Sequence, residues 1–325
     1  MIRINVTRGN RVESTHHCSL AVADADGDIV AEFGDISRPV YPRSAVKLIQ
    51  ALPVVESGAA DKYGFSDEDL ALCCASHSGE DRHAARAAAM LEKLGLDETA
   101  LRCGPDWPFD PTIARSYAAD GGTPRPLRHN CSGKHAGFLC LACLLESDGR
   151  DYHLPDHPVQ RRVTAALQQV TGFELTAPPA VDGCSMPTHA IPLRALAQGF
   201  ARLATGNGLG KERITAARRL FATCTKHPEM VAGLNRFDSR IMAAGNGRIF
   251  AKMGAQGVYC GALPDKGLGF AVKCHDGAVA ASEIAFGAAI AAFYGSVIER
   301  QDRQPVFNAA GWQVGEAAPE RDYFR

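Results

Sequence analysis

The hydrophobic rhythm of the chain changes twice along its length. Alternation dominates the first forty residues, helical spacing the middle, and alternation returns after Asn246-Gly247. In the first stretch residues 3–7 alternate, and residues 19–23 and 29–33 flank Asp26-Gly27, a hairpin signal. Pro39 and Pro42 then interrupt regular structure. Leu48, Leu52 and Val55 recur at helical spacing up to a stop at Gly58, which puts Ser44 in the first turn of a buried helix. Further helices are predicted over 67–74 with Ser66 as cap, over 81–94 ending at Gly95, and over 132–146 with Phe138, Leu141 and Leu145 on one stripe. Others are expected over 158–171 before Gly172, 192–204, 211–224 and 228–234. Strands are predicted at 249–252, 258–263 and 268–273, the last two pairing across residues 264–267. A helix over about 282–299 is the last strong element, and the polar tail beyond Gln301 is expected to be loosely packed.

Strands at both ends with helices between predict an α/β (α+β) fold. A mostly antiparallel sheet would be built from the N- and C-terminal segments and covered by helices. The 325 residues are expected to form a single domain, with sheet-forming segments at about 1–59 and 236–300 and a helical middle at about 60–235. An apolar share of 46% and a charged share of 22% are those of an ordinary globular protein. A net charge of −1 without a basic run argues against nucleic acid as a partner. The first six residues lack a secretory apolar core and no run is long enough for a membrane span, so no membrane association is expected. The 11 cysteines, an odd and scattered set, argue for a reducing compartment and a cytoplasmic location. Cys73, Cys74, Cys140 and Cys143 read as small core residues.

The chemistry is concentrated in short motifs. Arg43-Ser44-Ala45-Val46-Lys47 places a serine and a lysine one helical turn apart, where an amine can act as base to a hydroxyl nucleophile. That spacing is common by chance. Here Ser76-His77-Ser78-Gly79, Cys131-Ser132-Gly133-Lys134-His135 and Lys252-Met253-Gly254 follow in order. Penicillin-recognising serine enzymes use Ser-x-x-Lys, then a polar serine motif, then Lys-Thr-Gly; Met253 stands in the threonine position. A lysine has to fall from a pKa of ~10.4 to ~7–8 to serve as base, which is roughly 4 kcal/mol. Lys252 is the candidate second cation that would supply part of that shift. Arg43 has the fork geometry to hold a substrate carboxylate, and Gly254 would let substrate approach the strand edge. Backbone N–H groups of Ser44 and near Gly254 would form an oxyanion hole.

Cys131 and Lys134-His135 open one predicted helix, and Asp182-Gly183-Cys184 lies in a loop. Spacing alone nominates Cys131, His135 and Cys184 as zinc ligands, with buried free thiols as the competing reading. Phosphate binding at Gly133-Lys134 is disfavoured because the full glycine-rich signature is missing.

Taken together, Arg43-Ser44-x-x-Lys47, 75–80 (Ala-Ser-His-Ser-Gly-Glu), 129–137 (His-Asn-Cys-Ser-Gly-Lys-His-Ala-Gly) and Asp182-Gly183-Cys184 resemble the rhizobial-type L-asparaginases, the asparaginase II family. The resemblance covers about residues 7–299, and its specific part is the Cys-Ser-Gly-Lys-His block with Asp-Gly-Cys. It implies a serine β-lactamase-like fold, a homodimer, and hydrolysis of L-asparagine to L-aspartate and ammonia. It implies two serine–lysine pairs, Ser44 with Lys47 and Ser76 with Lys252. It also implies zinc held by Cys131, Lys134 and Cys184, which moves His135, with Arg43 and Asp182, to the substrate. The other readings are a serine-dependent glutaminase, a β-lactamase-like amide hydrolase, and a thiol-based metal or redox sensor without enzymatic activity.

Overall fold

The structure, a computed structural model, describes residues 1–295 and 301–324. The chain divides into two compact units. A sheet unit comprises residues 1–45, 190–208 and 248–325, and a helical unit comprises residues 46–189 and 209–247. Elements are numbered in chain order below.

The sheet unit is built on eight antiparallel strands: β1 (Ile2–Arg8), β2 (Arg11–Ala23), β3 (Ile29–Phe33), β8 (Phe250–Gly254), β9 (Val258–Leu263), β10 (Leu268–Cys274), β11 (Gln304–Phe307) and β12 (Gln313–Pro319). Their order is β11-β12-β1-β2-β10-β9-β8. The 13-residue β2 carries two partners in succession, β1 along its first half and β3 beyond Leu20, while β10 pairs with it from Cys18 to Ala23. The predicted hairpins 19–33 and 258–273 form with the expected partners.

Two helices cover the sheet. Gly269 of β10 lies against the backbone of Ala197 and Ala201 in α8 (Leu193–Thr205), while its neighbour Phe270 meets Phe286 and Phe293 of α12 (Val279–Tyr294). Successive strand residues point to opposite faces, so the two helices lie on opposite faces. That explains why β8 and β9 are buried at every position and do not alternate. A two-strand pair, β4 (Pro39–Val40) with β7 (Ile191–Pro192), completes the unit. The predicted helix over 282–299 ends at Tyr294; residues 296–299 of that expectation lie outside the described residues.

The tail is not loose. β12 pairs with β1, matching Ile4 with Pro319 and Val6 with Ala317, and Phe33 packs edge-on against Tyr323 and Phe324. Its polar composition reflects an outer hairpin, one of whose strands has a single neighbour, and not an absence of structure.

The helical unit contains α1 (Lys47–Glu56), α2 (Ala59–Lys62), α3 (Asp67–Cys73), α4 (Asp81–Glu92), α5 (Pro111–Ala119), α6 (Ser132–Leu144), α7 (Pro158–Thr171), α9 (Lys211–Lys226), α10 (Pro228–Val231) and α11 (Phe237–Gly245). It starts at Val46 and not near residue 60, because α1 packs on α6, α7 and α9. α1 is buried from Lys47 to Val55 and α6 from Ser132 to Ala142. A helix apolar all round belongs in the interior, and these two form the centre of the unit. Ser66 caps α3 in a reciprocal box with Asp69, and Gly172 closes α7 at φ +64. α5 and α11 were not anticipated, although Asp110 followed by Pro111 is a helix start of the usual kind. A short hairpin, β5 (Ala180–Val181) with β6 (Pro187–Thr188), presents the loop that carries Asp182 and Cys184. No helix among the described residues is long and apolar enough to cross a membrane.

Candidate active site

The unit boundary falls between Ala45 and Val46, inside the Ser-x-x-Lys motif. The helical unit brings together Lys47, Ser76, Cys131, Lys134, His135 and Cys184, whereas Arg43, Ser44 and Lys252 belong to the sheet unit.

Lys47 opens α1 and is fully buried. Its Nζ donates to Ser76 Oγ at 3.0 Å, to Cys131 Sγ at 3.0 Å and to the Ala75 carbonyl. The sequence reading assigned Ser76 to Lys252; within the helical unit the amine on Ser76 is that of Lys47. A hydrogen bond from Cys184 pulls the Cys131 thiol well below its usual range, and the charges of Lys47 and Lys134 act in the same direction against burial. As the donor in that bond, and buried besides, Cys184 is pushed well above the usual range. That hydrogen bond makes Cys131 the more acidic of the two thiols. Lys134 Nζ donates to Cys184 Sγ at 3.0 Å. Burial opposes its charge, but the sulfurs of Cys184 and Cys131 outweigh that and raise its pKa.

The loop bearing Ser76 is tied down at several points. Ser76 N–H donates to the Val231 carbonyl, His77 N–H to that of Asn130, and Ser78 Oγ to that of Ala232. His77 Nδ1 accepts from Gly79 N–H, so its proton sits on Nε2 and is given to Ser132 Oγ at 2.9 Å. His77 stacks on His83 with ring centroids 4.7 Å apart, and burial lowers the pKa of both. Cys131 N–H donates to His129 Nδ1, which fixes the start of α6.

His135 is fully buried, and burial, with Lys134 nearby, keeps it neutral. Its Nδ1 lies 2.6 Å from the Tyr152 hydroxyl, which also accepts the Arg102 N–H at 2.9 Å. With the Arg102 N–H already given to the Tyr152 oxygen, the Tyr152 O–H is the proton directed at Nδ1, the arrangement that puts the imidazole proton on Nε2. Among the described residues that Nε2 has no partner. An unsatisfied buried donor is costly and marks a place for a ligand. Tyr152 was missed by the sequence reading, since a lone tyrosine in a helix-poor stretch carries no motif.

In the sheet unit Ser44 sits in a 3₁₀ turn, Arg43–Val46, and not in an α-helix. Arg43 has φ +53, an uncommon value for a residue with a side chain. Arg43 lines a pocket of about 380 Å³ with Arg38, Lys273 and Asp35 as the charged groups and Pro39, Val40 and Leu193 on the apolar side. Lys252 is buried on β8 opposite Cys260 and donates to the Met253 carbonyl at 2.9 Å. The glycine two residues on has a different role from the one expected. A Cβ on Gly254 would meet the Pro42 carbonyl oxygen and lie 3.1 Å from Ala45 N, so it is the Ser44 turn itself that approaches the strand.

The profile of the L-asparaginase II family matches residues 4–319. The chain belongs to that family. No curated protein matches it. Similar solved structures include a β-lactamase from Mycobacterium bovis, 14% identical, covering 85% of this chain and 94% of that one at a TM-score of 0.44. Simvastatin synthase from Aspergillus terreus is also 14% identical and covers 79% of this chain and 86% of that one at 0.40. A β-lactamase-like protein from Bacteroides dorei is 13% identical, with coverages of 79% and 84%, at 0.38. As a member of the L-asparaginase II family the protein is an amidohydrolase. The donor set of Cys131, Lys134 and Cys184 suits a soft to intermediate cation, with two sulfurs and one nitrogen converging. The residues therefore fit zinc, provided that Lys134 gives up a proton.

Proposed function

We propose that this protein hydrolyses the side-chain amide of L-asparagine to L-aspartate and ammonia through a serine nucleophile. The observation that carries the reading is the buried Lys47 amine held 3.0 Å from the Ser76 hydroxyl and 3.0 Å from Cys131, in a chain matched by the L-asparaginase II family over residues 4–319. Ser44, three residues before Lys47, is the nucleophile. Lys47 in its neutral form takes the Ser44 proton, and the Ser76 hydroxyl keeps the amine oriented. Ser44 Oγ bonds to the amide carbon, the C–N bond breaks, and the nitrogen leaves as ammonia, taking the proton that Lys47 accepted by way of the Ser76 hydroxyl. Water then cleaves the β-aspartyl ester and restores the hydroxyl. Arg43 takes the α-carboxylate and Asp182 the α-ammonium. The His135 Nε2–H, without a partner among the described residues, is a donor for the substrate.

Cys131, Lys134 and Cys184 would hold zinc, whose positive charge would organise the pocket. The same reading makes the enzyme a cytoplasmic homodimer, and sedimentation equilibrium measures its stoichiometry. The activity is tested by ammonia release from asparagine and from glutamine. Ser44→Ala is expected to lower the rate by at least ~10³-fold with unchanged melting, as loss of a nucleophile does. Ser76→Ala is expected to lower it by ~10²–10⁴-fold. A Ser44→Ala enzyme that keeps a tenth of the activity removes Ser44 as nucleophile, and absence of ammonia from either amide removes the substrate assignment.

A further inference from the structure

We propose that the sheet unit carries a metal site of its own, a tetrahedral zinc site formed by His16 and Cys18 of β2 with Cys274 and Asp276 at the end of β10. It does not depend on the asparaginase reading.

The ladder sets the four residues in two facing rows. Cys18 pairs directly with Cys274. The His275 N–H donates to the His17 carbonyl, so the pairs on either side of 17/275 are the non-hydrogen-bonded kind, whose side chains come closest. Beyond β10 the chain turns at 275–276, and Asp276 reaches His16 through the 2.6 Å hydrogen bond between His16 Nδ1 and Asp276 Oδ2. His16 and Cys18 share a face of β2, being two apart, and Cys274, opposite Cys18, lies on that face as well. The donors of His16, Cys274 and Asp276 lie within 4.8 Å of one another, and Cys18, whose Sγ donates to the Ala281 carbonyl at 3.8 Å, faces Cys274 across the ladder. Cys274 Sγ is 3.0 Å from Asp276 Oδ1. Zinc–ligand bonds of ~2.0–2.3 Å put tetrahedral donors about 3.3–3.8 Å apart, within reach by small side-chain rotations.

Burial is graded across the site. Cys18 and Cys274 are fully buried, while the His16 and Asp276 side chains are 25% and 50% exposed. Soft donors form the floor and harder ones the open rim, so a cation can enter from solvent and end among thiolates. Two sulfurs, an imidazole and a carboxylate select zinc over magnesium or calcium, which favour oxygen alone. A surface His–Asp ion pair by itself is worth only ~0–1 kcal/mol, too little to account for two thiols placed directly beneath it. Binding is balanced by protons: zinc displaces one from each thiol, and His16 coordinates as neutral imidazole.

The full-length chain, stripped with chelator under reductant, is titrated with zinc alone against a chromophoric competitor. The His16→Ala/Asp276→Ala double variant is expected to bind one equivalent fewer per chain than the unsubstituted protein. It should keep its circular dichroism spectrum and its rate of ammonia release. Measuring the difference between the two proteins separates this site from the lysine-containing cluster. With cobalt in place of zinc, Cys274→Ser should lose thiolate-to-metal charge-transfer absorbance. Equal zinc stoichiometry in the two proteins, or an unchanged cobalt spectrum in Cys274→Ser, overturns the proposal. So does a zinc-free chain whose Cys18 and Cys274 are found disulfide-bonded by mass spectrometry of the untreated protein.

Discussion

Replacing Gly133 by alanine sets two local effects against each other. Gly133 lies inside α6 between Ser132 and Lys134, and by helix propensity alone alanine would stabilise the position by at most ~1 kcal/mol. Packing opposes this. A Cβ there would lie 2.8 Å from the Leu72 carbonyl carbon and closer still to its oxygen and to Leu72 Cγ. Carbon atoms prefer separations of ~3.5–4.0 Å, so the backbone of α3 or α6 has to retreat by about 1 Å. Overpacking of this kind costs ~1–3 kcal/mol or more, and here the obstacle is backbone, which cannot rotate away. The Leu72 carbonyl also accepts the Ala75 N–H at 3.0 Å, and a strained or lost bond adds ~1 kcal/mol. The net expectation is destabilisation by about 2–3 kcal/mol, or a fall in Tm of roughly 4–12 °C for a unit of this size.

The same clash reaches the chemistry. Leu72 leads through Ala75, whose carbonyl holds Lys47, to Ser76. A displacement near 1 Å at such a point costs ~10²-fold in kcat/KM. Gly137 is the control, one turn further along α6. A Cβ there would crowd Cys73 Sγ, at 2.7 Å, the end of a small side chain that can turn aside, with Cys73 Cβ and Val54 Cγ2 no nearer than 3.4 Å. Gly137→Ala should therefore change stability by less than ~1 kcal/mol, the packing cost being offset by helix propensity, and leave ammonia release intact. Thermal melts and initial rates on both variants decide the matter. If Gly133→Ala melts at or above the temperature of the unsubstituted protein, or if Gly137→Ala is the more damaging change, close helix contact is not the reason for glycine in this motif.

Tyr152→Phe should leave His135 Nδ1 and the Arg102 N–H without partners and cost ~1–3 kcal/mol in chemical denaturation, with a parallel fall in kcat/KM as the imidazole loses its fixed tautomer. Wild-type stability together with wild-type rate would remove Tyr152 as the residue that positions His135. Lys47→Met takes away the donor to Ser76, Cys131 and Ala75 and should reduce ammonia release by ~10²–10⁴-fold; a variant retaining more than a tenth of the rate is incompatible with Lys47 as base. Ser66→Ala, which breaks the capping box on α3, should lower stability by ~1 kcal/mol in a urea titration and leave the rate unchanged. A loss of activity there would mean that α3 positions the site more tightly than its cap suggests.

What could be read from the sequence was whatever neighbours in the chain decide among themselves. The hairpins at Asp26-Gly27 and 264–267, the cap at Ser66 and the stop at Gly172 are local events, and each appears where the residues place it. The C-terminal hairpin escaped because the strand that orders it, β1, lies some 310 residues earlier, and an outer strand need not be apolar on both faces. α5 escaped for a different reason: its residues are all at least partly exposed, so no apolar stripe announced it.

The site divides in the same way. Lys47, Ser76, Cys131, Lys134 and Cys184 were visible as motif members because their spacing is written in the chain. The pairing of Lys47 with Ser76 was not, since it depends on a loop tied to Asn130 and Val231, far away in sequence. Protonation was even less legible, because a charge state belongs to a set of neighbours and not to one residue. The sulfurs beside Lys134 raise its pKa, and the Cys184 thiol, with Lys47 and Lys134, lowers that of Cys131. Remove Cys131 and Lys47 loses an acceptor while Lys134 loses one of the two sulfurs that raise its pKa; remove Lys47 and Cys131 loses one of the groups that lower its own. The lysines and cysteines of this pocket therefore have to be present together, which is why a motif that reads as separate short blocks behaves in the folded unit as one electrostatic object.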